Sequence, residues 1–315
     1  MLPIARPVVR WLMTVAVVVV AAATGAFCLQ LLIPGDPAVA LLASQLGRQP
    51  TVGQIAAKHV ELGLDQPFLT RLVEWVGGAV HGDFGRSWAS PGDVGNIIWP
   101  RVAATLRLGL VALVVALVLA LAGGIGAALA RDRLLDRTLR VLAAVLACVP
   151  AFVLGVLVIE FVIIRAGIGR VLADGSFQGA LLPGTLLGVV IASGWVRPVR
   201  AIALDVLNSG TVRTARARGA SGPAIIRVHV LPMVFLEFLP FLGLGVGAMI
   251  GATAVMEVVF SWPGIGAYAA EAALHRNMPV LQAVVLLSVI SFRLGTDATR
   301  AVGWMLDPRR RSGSA

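Results

Sequence analysis

Long apolar runs constrain this chain more than any other feature of its sequence. A transmembrane helix needs about 20 residues, because each residue adds about 1.5 Å and the hydrocarbon core is about 30 Å thick. Six stretches of this length carry few charges, in a chain of 315 residues that is 58% hydrophobic and 13% charged. They cover residues 11–33, 104–130, 141–164, 181–202, 231–256 and 280–304. The pattern predicts an all-α integral membrane protein with six transmembrane helices.

Basic residues follow the positive-inside rule, by which cytoplasmic loops carry an excess of arginine and lysine. The formal net charge is +10. The arginines cluster in alternate connections, at residues 6–10, 131–140, 213–227 and 309–311. Membrane topology therefore explains the charge, and nucleic acid is not expected as a partner. We expect a multi-pass protein whose N-terminus (1–10) and C-terminal tail (305–315) are both cytoplasmic.

The remaining long connection, residues 34–103, is predicted to lie outside the cytoplasm, since acidic residues balance its few basic ones. Thr51 and Gln54 have the spacing of a capping box, so we expect a short helix after Thr51. The Gly-Asp-Pro sequence at 35–37 is expected to end the first helix, because proline cannot donate a backbone hydrogen bond. We expect that helix to be retained as an anchor, since its apolar run is longer than the core of a cleaved signal peptide.

The connection at residues 205–230 is polar and rich in arginine, unlike an ordinary short loop. Its arginines alternate with small residues such as Ala215 and Ala217, and Gly219 breaks the run. We interpret the segment as two short helices joined by a turn. The alternative is that its arginines serve only to set the membrane topology.

Glycines recur inside the second and fifth predicted helices. They are Gly123, Gly124 and Gly126 in one helix and Gly243, Gly245, Gly247 and Gly251 in the other. Small residues let helix backbones approach closely in a membrane, so we interpret these glycines as packing contacts. The alternative is a flexible gating point.

Catalytic and nucleotide-binding motifs are absent from the sequence. A P-loop needs Gly-Lys-Ser/Thr to hold phosphates, and Lys58, the single lysine, stands between an alanine and a histidine. Neither a nucleophile elbow nor a His-Glu-x-x-His zinc motif occurs. The four histidines are too scattered for a metal site, and Cys28 and Cys148 both fall in predicted helices, where a thiol usually packs. We expect no catalytic residue, cofactor or metal in this chain.

Acidic side chains inside the predicted spans are few. Glu160, Glu237 and Glu257 stand near helix ends and are expected to be interfacial. Asp297 follows Arg293 by four residues, which places both on one face of the last helix. We hypothesise that Arg293 and Asp297 form an intramembrane charge pair; the alternative is a later helix start that leaves Arg293 at a partner surface. Ion-coupled carriers usually bury several acidic groups at mid-membrane, so that class is disfavoured.

Several short motifs occur in a characteristic order. They are Leu32-Ile33-Pro34-Gly35-Asp36-Pro37-Ala38, Glu61-Leu62-Gly63-Leu64-Asp65-Gln66-Pro67, Gly82-Asp83-Phe84-Gly85, Ser261-Trp262-Pro263-Gly264-Ile265-Gly266, Asn277-Met278-Pro279 and Leu306-Asp307-Pro308-Arg309. Each is weak alone, but together they cover nearly the whole chain. The sequence resembles the dipeptide, oligopeptide and nickel permeases of bacterial ABC importers, in particular the first permease of the peptide systems. The resemblance implies a type I ABC importer transmembrane fold in a bacterial inner membrane.

The resemblance is most informative within residues 205–230. The residues that look like this family's ATPase-coupling loop are Arg213, Thr214, Ala215, Arg216, Ala217, Arg218, Gly219 and Ala220. By resemblance, the first helix of the loop docks into a cleft of an ATPase subunit, whose closure on ATP moves the membrane helices. Ala215 and Ala217 would enter the cleft, and the arginines would meet acidic groups at its rim. ATP and Mg²⁺ would then bind the partner ATPases and not this chain.

The resemblance also implies the partners: a second, related permease chain, one or two kinds of ATPase subunit, an external substrate-binding protein and membrane lipid. Substrate would move inward, and because the binding protein normally selects it, we expect a permissive pathway without a deep specificity pocket. Where the family usually shows an asparagine and an aspartate near the last helix, Thr296 and Arg300 stand. The substrate path is therefore the least certain part of the resemblance.

Di- or oligopeptides are the expected cargo, with nickel or a metal chelate as the nearest alternative. An ion-coupled secondary carrier acting alone is the alternative from another class. A membrane enzyme or scaffold is a third, for which the sequence shows no nucleophile, base or metal constellation.

Overall fold

The computed structural model describes residues 5–32, 35–89, 92–168 and 171–306, and the regular elements among them are helices. The first seven are α1 (Ala5–Leu32), α2 (Pro37–Leu46), α3 (Val52–Glu61), α4 (Phe68–Val80), α5 (Val94–Leu129), α6 (Leu134–Cys148) and α7 (Ala151–Val158). The next six are α8 (Phe177–Leu207), α9 (Gly210–Ala217), α10 (Gly222–Ile225), α11 (Leu231–Val259), α12 (Ile265–Leu274) and α13 (Met278–Leu306). Two π-helical turns, Ile159–Arg165 and Ile226–Val230, follow α7 and α10.

Five helical stretches are long and apolar enough to cross a bilayer. They lie in α1, α5, α8, the run from α10 into α11, and α13. Together α6 and α7, with the π turn after α7, form a sixth candidate span that is bent by 92°. These six positions coincide with the six apolar runs of the sequence, which confirms the prediction of an all-α membrane protein.

The third predicted span, residues 141–164, is not one straight helix. It is interrupted at Val149 and Pro150, between α6 and α7. Val149 has an extended backbone with φ −90° and ψ 120°, the conformation favoured before a proline. Pro150 lacks the N–H that would continue the helical hydrogen bonds. The bend therefore has a local cause in the sequence.

The sequence predicts short helices in the outer segment, and the structure has three there, α2, α3 and α4. The capping box of α3 is confirmed, since Gln54 Oε1 accepts the N–H of Thr51 at 3.0 Å and the Thr51 side chain caps the Gln54 N–H. Asp36 also caps a helix, because its Oδ1 accepts the N–H of Ala38 in α2 at 2.8 Å, and its Oδ2 lies 2.6 Å from His59 Nε2. Burial alone would raise the pKa of the Asp36 carboxyl, but these hydrogen bonds lower it. The Gly-Asp-Pro motif thus starts α2 as well as ending α1.

Two compact units are formed by the described residues. Unit 1 is drawn from Met1–Ala103 and Gly264–Arg293, and unit 2 from Ala104–Pro263 and Leu294–Ala315. In unit 1, Asn277 joins two of the sequence motifs: its Oδ1 accepts the N–H of Trp88 at 3.1 Å, and its Nδ2 donates to Ser87 Oγ at 2.8 Å. A buried amide therefore fastens the turn after Gly82-Asp83-Phe84-Gly85 to the start of α13.

In unit 2, α5 and α8 approach closely because α8 carries Gly184 and Gly188 on one face. A Cβ atom on Gly184 would lie 2.8 Å from Val111 Cβ, and one on Gly188 would lie 2.7 Å from the carbonyl oxygen of Ala112. This spacing is the small-xxx-small pattern that lets membrane helices pack with their backbones near one another. These two glycines were not singled out from the sequence, although their spacing is visible there.

Six of the seven glycines that were singled out from the sequence divide into two groups, and the surroundings of Gly247 lie outside the described part of the structure. Close packing is confirmed at Gly123 and Gly124, where a Cβ would lie 3.2 Å from Val196 Cγ2 and 2.6 Å from Val199 Cβ, and at Gly243 and Gly245, where it would meet Thr299 and Trp195. Among the described residues, Gly251 has no atom of another element within 4 Å of that position, and Gly126 has only one, at 4.0 Å. Close helix contact therefore explains some of these glycines and not all of them.

Replacing Gly188 by valine should lower the melting temperature of the purified protein, because overpacking costs about 1–3 kcal/mol. Gly194→Val is the matched control, since Gly194 lies on the same helix with open space around its Cβ position. The measurement is thermal unfolding of both variants in the same detergent. Equal melting temperatures for the two variants would contradict the close contact of α5 with α8.

Candidate functional site

The arginine-rich segment folds into a helix, a turn and the start of a second helix. Ser209 is the N-cap of α9, and its Oγ accepts the N–H of Val212 at 3.4 Å. The second helix is not an independent element, because the backbone stays helical from Gly222 through the π turn into α11. Of the two short helices predicted from the sequence, the first is present as α9. The second is the beginning of the long helix that continues into α11.

The turn after α9 depends on Gly219, whose φ is +79°. The Gly219 N–H donates to the carbonyl of Arg216 at 3.0 Å, and the Ala220 N–H donates to the carbonyl of Ala215 at 3.1 Å. These two bonds form a Schellman motif, the usual way in which a left-handed glycine ends a helix. A residue with a Cβ would be strained at this position, which explains why the arginine run breaks at a glycine.

The inner face of α9 packs into unit 2. Val212 is wholly buried and belongs to one core cluster with Ile225 and Val230. Ala215 and Ala220 are half-buried and pack against the same cluster. The side chain of Ala215 therefore faces inward, whereas the sequence led us to expect it in a partner's cleft. Packing on this face holds α9 to the end of α8 and the start of α11.

The outer face of α9 and its turn is basic. The exposed residues are Thr211, Arg213, Thr214, Arg216, Ala217 and Arg218. The sequence of α9 contains no aspartate or glutamate, so nothing on the helix neutralises the three arginines. Ala217 is the one small apolar residue on this face. Such a surface suits a partner groove with an acidic rim.

A buried ion pair, Asp136–Arg200, acts as a clamp between α6 and α8. Asp136 is wholly buried, and both of its oxygens are held by Arg200: Nε lies 2.7 Å from Oδ1 and Nη2 lies 2.7 Å from Oδ2. Arg140 Nε also donates to Oδ1 at 3.1 Å, and the backbone N–H of Asp132 donates to Oδ2 at 3.1 Å. The bidentate geometry of this clamp fixes the orientation of α8 relative to α6.

The clamp lies close in sequence to the arginine-rich segment, because α8 continues from Arg200 to Leu207 and α9 begins at Gly210. It was not predicted from the sequence, since its two residues are 64 positions apart. Asp136 stands among arginines that the positive-inside rule already explains, and Arg200 falls near the end of the fourth predicted span. The available signal was that Asp136 is an acidic residue within a strongly basic connection.

One acidic residue near a helix end is enclosed by the protein. Glu257 is wholly buried and accepts a hydrogen bond from Thr105 Oγ1 at 2.6 Å, so its carboxylate is paired inside unit 2. Asp297 Oδ1 lies 3.6 Å from Arg300 Nη1 on the same helix. The charge pair of Arg293 with Asp297 stays a prediction.

Two family profiles match this chain. The profile described as binding-protein-dependent transport system inner membrane component covers residues 120–312, more than half of the sequence. The chain belongs to this family. A second profile, for the N-terminal part of such membrane components, covers residues 4–109. The chain is thus a multi-pass inner-membrane component of an ABC transporter and not an enzyme, because ATP hydrolysis in this family lies in partner subunits.

Curated relatives of this permease match it over most of their length. The glutathione transport system permease protein GsiC of Escherichia coli (strain K12) is 32% identical over 263 residues, which are 84% of this chain and 85% of the relative. GsiC of Shigella flexneri serotype 5b has the same identity and coverage.

A solved structure shares the fold of this permease. The inward-facing MetNI methionine ABC transporter matches with a TM-score of 0.55 at 21% identity, over 65% of this chain and 93% of the matched chain. This likeness confirms the predicted type I ABC importer transmembrane fold. At that identity it gives no information on what this permease carries.

Replacing Arg200 by alanine should lower the melting temperature of the purified protein more than the double change Asp136→Ala with Arg200→Ala. The single variant leaves a buried carboxylate without its bidentate partner, and breaking a buried ion pair on one side costs about 3–5 kcal/mol. Arg197→Ala is the control, since Arg197 is an exposed arginine on the same helix. A double variant as unstable as the single variant would show that the buried charge is not the cause.

Proposed function

We propose that this permease is one half of the membrane pathway of an ATP-driven importer of di- or oligopeptides. The observation that carries the proposal is the relationship to glutathione permeases at 32% identity over 84% of the chain. Glutathione is itself a short peptide with free carboxylates. The cargo of this chain is therefore a molecule of the same chemical kind, selected outside the membrane by a substrate-binding protein.

In this proposal α9 is the coupling helix. Its exposed arginines and Ala217 dock into a groove of an ATPase subunit, while Val212 and Ala215 fasten it to unit 2. Movement of the ATPase then displaces α9 together with the adjoining ends of α8 and α11. The clamp passes that movement to α6, because a bidentate ion pair resists rotation of one helix against the other.

The other proposed partners follow from the family. A second, related permease chain completes the pathway, and one or two kinds of ATPase subunit bind below it. The predicted outer segment, residues 34–103, faces the substrate-binding protein. In this arrangement Arg293 and Asp297 neutralise one another within the last span.

The cargo is tested by reconstituting the complex that purifies with this chain into liposomes together with its binding protein. ATP-dependent accumulation of labelled glutathione or of the dipeptide Ala-Ala is expected, and no accumulation of ⁶³Ni²⁺. Uptake of nickel without uptake of either peptide would contradict the proposal. So would peptide uptake that needs an ion gradient and no ATP.

Ala217→Glu should reduce ATP-dependent peptide uptake about tenfold or more while the subunit still assembles in the membrane. The new carboxylate faces the acidic rim proposed for the groove, and like charges brought together at an interface cost several kcal/mol, where about 1.4 kcal/mol is a factor of ten. Uptake and ATP hydrolysis are measured in the same liposomes. We expect hydrolysis to lose its dependence on substrate.

Two variants control for this substitution. Ala217→Ser keeps a small side chain and should transport normally. Ala217→Gln matches glutamate in size without its charge, so it should reduce uptake less than Ala217→Glu. Normal uptake by Ala217→Glu would show that this face of α9 does not enter an ATPase.

A further inference from the structure

Unit 1 contains a cleft of about 720 Å³ within the predicted outer segment and the adjoining end of α1. Phe27 and Gln30 of α1 line it on one side, and Arg71 and Trp75 of α4 on another. Each pair is spaced three or four residues apart on its helix, so both side chains of a pair face the same way. The volume lies in the range of sites for small molecules. A deep pocket was not expected from the sequence.

Arg71 supplies a positive charge in this cleft. Its Nη2 donates to Gln30 Oε1 at 2.8 Å, and its guanidinium carbon lies 5.6 Å from the centre of the Phe27 ring. Among the described residues, no carboxylate lies within ion-pair distance of Arg71. Burial lowers the pKa of the Arg71 guanidinium. The described protein thus buries part of this charge without a counter-ion, which is unfavourable unless an anion joins it.

Two hydrogen-bond donors in the cleft have no acceptor. Gln30 Nε2 and Trp75 Nε1 are both buried, and neither has a hydrogen-bond partner among the described residues. The orientation of the Gln30 amide is fixed by chemistry, because arginine only donates and therefore requires the amide oxygen on its side. Buried donors are nearly always paired in folded proteins. The cleft is therefore lined by the partly buried cation of Arg71 and by two residues whose buried N–H donors have no acceptor among the described residues.

We propose that this cleft binds the carboxylate of a short peptide, with Arg71 as its counter-ion and with Gln30 and Trp75 as donors to its oxygens. Glu74 also lines the cleft and is exposed, so its carboxylate is available to the ammonium group of the same peptide, whereas Glu61 of the lining pairs with Lys58 at 2.8 Å. A peptide carries both charges and can use Arg71 and Glu74 together, which a simple anion cannot. A second arginine, Arg86, also lines the cleft and is exposed. The inference rests on the proposed function, in which the cargo is a peptide.

The test measures binding of Ala-Ala and of its C-terminal amide to the purified complex in lipid nanodiscs, without the external binding protein, by isothermal titration calorimetry. Ala-Ala should bind saturably, and its amide about tenfold more weakly or worse, since charged hydrogen bonds are the stronger class. Arg71→Gln should lower the affinity for Ala-Ala by a similar factor, so that Ala-Ala and its amide bind with equal affinity. Equal and still measurable binding of the acid and the amide is a result that general misfolding would not produce, because a misfolded complex would bind neither.

Two further variants keep the test independent of folding. Trp75→Phe retains an aromatic ring and removes the N–H, and it should weaken Ala-Ala about threefold to tenfold, as expected for one lost hydrogen bond. Arg48→Gln removes an exposed arginine of the same unit that does not line the cleft, and it should bind like the wild-type protein.

Equal binding of the acid and the amide to the wild-type complex would overturn the proposal, as would unchanged binding by Arg71→Gln or no saturable binding at all. In the last case, water satisfies the donors. Uptake assays separate this failure from that of the proposed function. If the complex imports Ala-Ala but shows no carboxylate-dependent site, the proposed peptide site is wrong and the proposed function stands. If the complex imports no peptide, the proposed function itself is wrong.

Discussion

The clamp between Asp136 and Arg200 fixes two helices in a setting where the hydrophobic effect cannot do so. Lipid is as apolar as leucine, so membrane helices gain little by hiding apolar side chains from it, and their mutual orientation depends on close packing and on polar contacts. The glycine contacts of α8 bring it near α5 without fixing its partner on the other side. A wholly buried carboxylate with two parallel hydrogen bonds does fix it, since a rotation would break both bonds to Arg200 and leave the buried charge to Arg140 alone. The ion pair thereby holds α6 to the part of α8 that precedes α9.

The two faces of α9 explain how a helix of eight residues can serve as a mechanical contact. Its inner face is apolar and continuous with the core, so the helix cannot move without the ends of α8 and α11. Its outer face is basic and exposed, and the glycine turn that ends it is locked by two backbone hydrogen bonds. The polar cleft belongs to unit 1, and α9 belongs to unit 2. In the two proposals, recognition of cargo and coupling to ATP therefore belong to different units of one chain.

Hydropathy and short motifs predicted most of the fold, because length and apolarity alone decide which segments can cross a bilayer. The capping box at Thr51 and the turn at Gly219 were also predictable, since each depends on neighbouring residues. The bend at Pro150 had a visible signal, a proline inside an apolar run. Hydropathy misses it, because an average over many residues changes little with one proline. Contacts between distant residues were not predictable: nothing local pairs Asp136 with Arg200, or Thr105 with Glu257. The inward side chain of Ala215 likewise depends on which core residues surround α9.

We propose that this chain holds no energy source of its own and receives movement from an ATPase through α9. Affinity purification of the chain from native membranes in mild detergent, followed by mass spectrometry of the proteins that remain bound, tests this proposal. We expect to recover a second permease chain and ATPases with P-loop motifs, and to lose the ATPases when α9 carries reversed charge at Arg213 and Arg216. Recovery of the chain alone, still able to transport peptide in liposomes without ATP, would contradict it.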